Sequence, residues 1–348
     1  MSLKAPYDGY AREGLLSANR FGGLTLYNYT SRCVFDGNWN YHTETARGLV
    51  LDDDGRVIAR PFRKFWNLGE RPETQANVLP KETPELADKY DGSLMVVFRN
   101  PESGRMQAVT RGCWDNPQTV CANAWLATRE ELFEDGYTYL FELVAPWNRI
   151  VVQYEREEMV LIGVMHNESS EDWSYSRVRA WGVARDLESV RFEARPFESL
   201  SLDDPAVVNR EGYVARFASG LRVKLKYAQY RWLHKLLTGF SVGDIWRLLS
   251  EGRALDLSGV PAEFVAWFDA RKCALESAMR ELEWRAKDAF AAAPKFGSRK
   301  EYALHFAAGD PLLRPLLFRM LDGVDYRDIL VRHVRPQGQT ETFARSDE

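Results

Sequence analysis

The chain has 348 residues, of which 45% are hydrophobic, 28% charged and 13% aromatic, and it carries a formal net charge of −4. This composition excludes wholesale disorder and fibrous repeats, and the length predicts two domains, one large enough to bury a substantial core. A slightly acidic total also excludes a surface coated in positive charge, so any nucleic acid has to be gripped by local clusters of Lys and Arg.

Up to about residue 230 the apolar residues come in short, β-rich runs broken by turn signals. Gly48 to Leu51, the turn Asp52-Asp53-Asp54-Gly55 and Arg56 to Ala59 predict a hairpin. Further strands are expected at Leu94 to Phe98, Met106 to Thr110, Tyr137 to Val144, Met159 to Met165, Val178 to Val183, Gly212 to Phe217 and Leu221 to Tyr227, with a helix around Gln118 to Phe133. The expected class is α+β, with a mixed, mostly antiparallel first domain over residues 1–230. After Tyr227 the apolar spacing changes to three and four, which predicts helices over Tyr230 to Ser250, Ala262 to Ala293, Pro311 to Asp322 and Asp325 to Val334. An all-α second domain over 231–335 and a flexible tail over 336–348 follow from that pattern.

Cys33, Cys113, Cys121 and Cys273 make no Cys-x-x-Cys pair and no zinc-ligand spacing, which predicts a reduced, cytoplasmic setting. No apolar run approaches the roughly 18 residues of a membrane helix, and the first residues lack the apolar core of a signal peptide, so no membrane partner is expected. The sequence has no Gly-x-x-x-x-Gly-Lys-Ser/Thr, Gly-x-Gly-x-x-Gly, Gly-x-Ser-x-Gly or His-x-x-x-His, which removes the common phosphate loops, the esterase elbow and a zinc hydrolase.

Four local patterns carry candidate chemistry. Lys89-Tyr90-Asp91-Gly92-Ser93 places an amine at the mouth of a strand, a carboxylate two residues on, and a glycine where a ligand needs close backbone approach; a surface hairpin turn fits the same residues. Lys224 and Lys226 fall on one face of a strand, where an overlying anion relieves their repulsion and a solvated face also accommodates them. Glu142 sits in an otherwise apolar strand and Glu211 directly precedes another, each open to a metal, ribose or lysine partner or to a structural ion pair. Arg47, and Arg63 with Lys64, stand beside apolar residues, where snorkelling stems are the plain alternative.

In chain order, Lys-x-Asp-Gly, a strand Glu, a Glu-Gly strand and a Lys-x-Lys strand resemble the nucleotidyltransferase motifs of covalent ligases and capping enzymes. The longer strings, Ala46-Arg47-Gly48-Leu49-Val50, Lys64-Phe65-Trp66-Asn67-Leu68, Lys89 to Leu94, Phe141 to Val151, Glu211-Gly212-Tyr213-Val214 and Lys224-Leu225-Lys226, resemble the RNA ligase 1 family of the T-even phages over roughly residues 40 to 230. The resemblance implies an ATP-grasp-like DNA/RNA ligase domain in which Lys89 attacks the α-phosphorus of ATP to give a lysine-AMP. AMP then passes to an RNA 5′-phosphate, and an RNA 3′-hydroxyl displaces it. It further implies that Arg47, Lys64, Lys224 and Lys226 neutralise the triphosphate, and that Glu142 and Glu211, with Asp91 in support, hold Mg²⁺ or Mn²⁺ or the ribose. The same resemblance implies that Gly92 belongs to the nucleotide site and makes Val214, with Leu161 or Ile162, candidates to sandwich the adenine, although an ordinary core position explains each as well. Arg111 stands where the family leads one to expect a lysine. Attack by Lys89 requires a pKa below the reference value near 10.4, which a divalent cation and flanking cations supply.

The implied partners are RNA with 5′-phosphate and 3′-hydroxyl ends, such as a nicked tRNA, and an end-healing kinase or phosphatase. A capping guanylyltransferase or DNA ligase shares the lysine but usually appends a β-barrel. A non-catalytic module would instead stack single-stranded RNA on residues such as Trp147, Arg149 and Trp181. The basic residues of the long helix, Arg271, Lys272, Arg280, Arg285 and Lys287, fit RNA selection or, with Glu276, Glu281 and Glu283 among them, a solvated face.

Overall fold

The structure, a computed structural model, describes residues 3–338 and 341–343. It divides between Trp232 and Leu233 into two compact units.

The first unit begins with α1 (Lys4–Arg12), β1 (Leu16–Phe21), β2 (Leu24–Tyr29), α2 (Ser31–Asp36), α3 (Tyr41–Thr45), β3 (Arg47–Asp52), β4 (Val57–Ala59) and β5 (Trp66–Asn67). It continues with β6 (Glu85–Lys89), β7 (Ser93–Arg99), β8 (Met106–Val109), α4 (Pro117–Leu126), β9 (Tyr137–Val144), β10 (Glu158–His166), α5 (Tyr175–Val183), β11 (Phe192–Ala194), β12 (Gly212–Arg216) and β13 (Arg222–Lys226). Three sheets result, in the orders β1-β2-β3-β4, β10-β9-β7-β8 and β11-β6-β12-β13-β5. Every pairing is antiparallel except β5 with β13, so the α+β, mixed and mostly antiparallel class is the one observed.

The apolar runs are continuous rather than alternating because the central sheet is covered on both faces. From β7, Leu94, Val96 and Phe98 point with Leu24, Leu26 and Val50 into one core, while Met95 and Val97 join Phe141, Val178 and Val214 in another. The first sheet is double-faced as well, since Leu49 and Leu51 alternate with Val50 and pack under Tyr7 of α1. A buried ion cluster ties the third sheet to α5's approach: Arg222 meets Asp172 through two hydrogen bonds, at 2.6 and 2.8 Å, and its guanidinium lies 3.8 Å from the Phe62 ring centroid.

The strand expected at Val178 to Val183 is a helix. Ser174 caps α5 by accepting from the Arg177 N–H, and the buried positions Tyr175, Val178 and Gly182 follow helical spacing. The helix expected to reach Phe133 stops at Leu126.

The second unit is helical, as expected: α6 (Ala228–Gly239) runs into it, followed by α7 (Val242–Glu251), α8 (Ala262–Ala292), α9 (Arg299–Ala308), α10 (Arg314–Leu321) and α11 (Arg327–His333). The single helix expected over Tyr230 to Ser250 is two, because Ser241 and Asp244 form a reciprocal capping box that starts α7. The same device, Ser298 with Glu301, starts α9, which the periodicity did not predict. The helix expected from Pro311 begins at Arg314, with Pro315 in its first turn. Of the expected tail, Phe343 packs edge-on to Phe264 and Glu341 pairs with Arg271, whereas 339–340 and 344–348 lie outside the described residues. No helix among the described residues is long and apolar enough to cross a membrane.

Removing Asp172 leaves the Arg222 charge buried and unpaired. Asp172→Ala is therefore expected to cost about 3 kcal/mol in urea unfolding followed by a probe in the first unit, and a loss under about 1 kcal/mol contradicts the packing described.

Candidate active site

Lys89 ends β6, Gly212 opens β12 and Lys226 ends β13, and the register sets Gly212 directly opposite both lysines. Lys89, Val214, Lys224 and Lys226 thereby share the face of the third sheet that turns toward the β7–β9 sheet, with Val214 itself closed into the core. Gly212 has φ +146°, and a Cβ there would come within 1.9 Å of the Leu225 carbonyl oxygen, so the crossing of the three strands admits only glycine.

Glu211 holds this junction. Its side chain is 2% exposed; Oε2 accepts from Lys89 at 2.8 Å and Oε1 pairs with Lys226 at 2.9 Å. Burial alone would raise its pKa, but the two lysines prevail and hold it below the usual carboxylate value. The reverse balance applies to Lys89. Burial alone would lower it, yet Glu211, Glu142 and Asp91 outweigh burial and its pKa lies above the ordinary lysine value. The flanking cations expected to lower the Lys89 pKa are not its nearest charges; those are carboxylates, and they raise it.

Asp91 is buried and spent on structure. Oδ2 accepts from the Val151 and Val152 N–H groups, both at 2.8 Å, and Oδ1 from the Tyr230 hydroxyl at 2.7 Å. Gly92 is needed for packing against protein, since a Cβ would sit 2.2 Å from the Leu143 carbonyl oxygen, and its N–H donates to Glu142 at 3.1 Å. Glu142 is half-buried, and burial first, then Glu211, raises its pKa to about 7 against the opposing pull of Lys89 and Arg47.

Beyond the lysine clamp lies a group of cations with a different environment. Arg47 lies 5.9 Å and Lys224 5.0 Å from the Phe65 ring centroid, Arg111 donates to the Tyr29 hydroxyl at 3.1 Å, and Lys64 stands over Tyr29, Trp39 and Trp66. Among the described residues no Asp or Glu pairs with Arg47, Lys64, Arg111 or Lys224 within 4.0 Å. Burial, with Arg47, Lys89 and Lys64 adding to it, drives the Lys224 pKa well down, and burial lowers those of Lys64 and Arg47 too. An overlying polyanion would relieve this mutual repulsion. Arg63 is excluded from it, being paired with Glu44.

Leu161 is wholly enclosed in the core, and Ile162, at the bulge between Leu161 and Gly163, is partly exposed. Trp181 stacks on Tyr139 at the core edge, Trp147 is half-exposed and donates to Glu157, and Arg149 donates to the Val151 carbonyl. The aromatic residues around Lys64 escaped the sequence reading, although Phe65-Trp66 flank it directly and Tyr29 and Trp39 lie in a segment for which no element had been predicted.

Among the described residues no three His, Cys, Asp or Glu side chains gather to cage a metal ion. The donor set leaves Glu142 able to hold a hydrated divalent cation through water, as Mg²⁺ favours; it does not fit Asp91, whose oxygens already accept three protein hydrogen bonds, nor Glu211 while its two oxygens are paired with Lys89 and Lys226.

A family model described as RNA ligase matches residues 45–236, more than half of the chain and every candidate residue above from Arg47 to Lys226. A protein of Thermovibrio ammonificans named "Putative RNA ligase" is 36% identical over 131 residues, covering 35% of this chain and 33% of its own. An RNA ligase of Rhodothermus phage RM378 is 27% identical over 253 residues, covering 60% of this chain and 55% of its own. The matches thus span a third and about half of the length of these relatives. A solved archaeal ATP-dependent RNA ligase is similar with a TM-score of 0.48 at 13% identity, over 92% of this chain and 96% of that one.

The raised pKa of Glu142 has a consequence for stability. Between about 4.5 and about 7 the folded chain binds a proton that the unfolded chain lacks, so this group's contribution is fullest at low pH and is lost as pH rises through 7. Glu142→Gln is expected to gain in melting temperature over the wild type by more at about pH 8 than at about pH 5. An equal difference at both contradicts the assignment.

Proposed function

Because the chain belongs to the RNA ligase family, we propose that it is an ATP-dependent RNA ligase that carries adenylate on Lys89. The observation that supports this most is the pairing of a strand-end lysine with four cations, Arg47, Lys64, Arg111 and Lys224, that no carboxylate neutralises. A nucleophile beside an unsatisfied positive pocket suits transfer from a polyphosphate.

In this reading the incoming triphosphate takes the place that carboxylates occupy elsewhere on the surface. Lys89 gives up its proton, its Nζ forms a bond to the α-phosphorus, the bond to the bridging oxygen breaks, and pyrophosphate leaves. Lys224 and Lys226 meet the charge near the α-phosphate, and Arg47, Lys64 and Arg111 meet the leaving group. An oxygen of the RNA 5′-phosphate then attacks the adenylate phosphorus, the N–P bond breaks and Lys89 regains a proton. The 3′-hydroxyl finally attacks the activated 5′-phosphorus, and AMP departs. A bound Mg²⁺ or Mn²⁺ would further neutralise the polyphosphate, with Glu142 holding it through water and Glu211 joining only as Lys89 leaves its carboxylate. Of the candidates to sandwich the adenine, Ile162 is partly exposed, whereas Val214 and Leu161 are closed into the core. Asp91 acts as the brace of the Lys89 loop rather than as a ligand.

We assign the chain to the cytoplasm and take nicked tRNA, healed by a partner kinase or phosphatase, as the preferred substrate. A competition assay between nicked tRNA and an unstructured strand tests that choice, with equal use of both counting against it.

The central test is incubation with α-labelled ATP and magnesium followed by peptide mapping. The wild type is expected to gain one AMP on the peptide containing residue 89, and Lys89→Ala and Lys89→Arg are expected to lose the label by about a thousandfold or more, since a guanidinium stays protonated. Label retained in both variants, or labelling by GTP alone, removes the proposal.

A further inference from the structure

Lys64 sits in a box of three aromatic rings. Tyr29 and Trp39 meet edge to face with centroids 5.1 Å apart, and Trp39 and Trp66 do the same at 5.0 Å. The Lys64 ammonium lies 5.2 Å from the Tyr29 centroid, 4.6 Å from that of Trp39 and 4.2 Å from that of Trp66. The walls come from separate places in the chain, the end of β2, the loop before α3, and β5, so local sequence alone does not bring them together. Trp66 is fixed by its parallel pairing with Val223, which puts it one residue from the Lys224 position. The main chain at Lys64 is fixed too, because its backbone N–H donates to the Glu44 carbonyl at 2.8 Å. Tyr29 serves a second cation through its hydroxyl, which accepts from Arg111.

The choice of partner has a physical consequence. A carboxylate would attract the ammonium but cancel its charge, and an arriving anion would first have to displace it, as it must at Glu211. Ring faces attract a cation through their quadrupole and leave its net charge intact. They also pack closely enough to restrict a side chain that otherwise has four free torsions.

We propose that Tyr29, Trp39 and Trp66 are positioning residues that hold Lys64 charged and aimed for the β- and γ-phosphates of the nucleotide, so that the box serves adenylate uptake and not strand sealing. The inference rests on the ligase reading given above. In uptake, the N–P bond forms and pyrophosphate leaves with the charge that Lys64 meets. In sealing, the 3′-hydroxyl bonds to the 5′-phosphorus and AMP leaves, with no β- or γ-phosphate present. A residue that acts only through Lys64 therefore affects the first reaction far more than the last.

Trp39 is the wall to alter, because Trp66 also anchors a strand and Tyr29 also holds Arg111. Three variants of the full chain separate the possibilities: Trp39→Ala, Trp39→Leu, which fills the space without a π face, and Trp39→Phe, which restores one. Two measurements are made on each, calorimetric affinity for inorganic pyrophosphate and the rates of adenylate uptake from ATP and of sealing of a pre-adenylylated RNA strand. The Ala and Leu variants are expected to lose about tenfold in pyrophosphate affinity and in kcat/KM for ATP, with sealing reduced by less than about threefold and Phe close to the wild type. Equal losses in uptake and sealing, rescue by Leu as complete as by Phe, or unchanged pyrophosphate affinity each overturn the proposal. If the wild type takes up no adenylate at all, the ligase reading fails, and the pyrophosphate affinities still decide whether the box positions a phosphate-binding lysine.

Discussion

One carboxylate, Glu211, determines how the strands around the site meet. It is buried between two ammonium groups from β6 and β13, and it reaches both because the residue after it is a glycine in a conformation that side chains rarely adopt. Taking away such a group would leave two cations facing each other in a partly closed space, which is far costlier than losing a surface ion pair. The same clamp makes Lys89 a charged partner of Glu211, so the proposed attack on a nucleotide requires the balance of charge around it to change.

The basic residues of α8 and those gathered around Lys64 have different partners. Along α8 the candidate RNA-binding residues are paired off: Lys272 and Arg280 with Glu276, Lys287 with Glu283, Arg285 with Asp310 and Arg271 with Glu341. These exposed pairs fit a solvated helix face, and they leave little free charge for a phosphate backbone to meet. Around Arg47, Lys64, Arg111 and Lys224 the chain offers rings and a phenol instead of carboxylates. In a chain of net charge −4, these four described cations gather into a local positive cluster that no ion pair within 4.0 Å relieves.

Much of this was legible in the sequence, and the limits are instructive. Short β-rich runs between turn signals located Met106, Tyr137 and Met159 in strands, and the Lys-x-Asp-Gly, Glu-Gly and Lys-x-Lys strings marked residues that prove to be neighbours across one sheet. Val178 to Val183 misled because its β-branched ends hid a helical burial pattern that begins at Tyr175, outside the apolar run. Asp91 and Gly92 carried a sound motif and an unsound physical explanation, for what approaches Gly92 closely is the Leu143 carbonyl, a contact 51 residues away in sequence. The Lys64 box was invisible for the same reason, since its walls lie 35 and 25 residues before the lysine and two after it.

The account stands on the claim that Glu211 keeps Lys89 protonated until nucleotide arrives. Following the Lys89 Nζ by NMR titration in the nucleotide-free chain measures this directly, with Glu211→Gln as the comparison. The structure predicts that Lys89 titrates above the ordinary lysine value of 10.5 in the wild type and falls when the carboxylate is removed. A wild-type value already below the ordinary one, or no change on losing Glu211, would contradict the clamp.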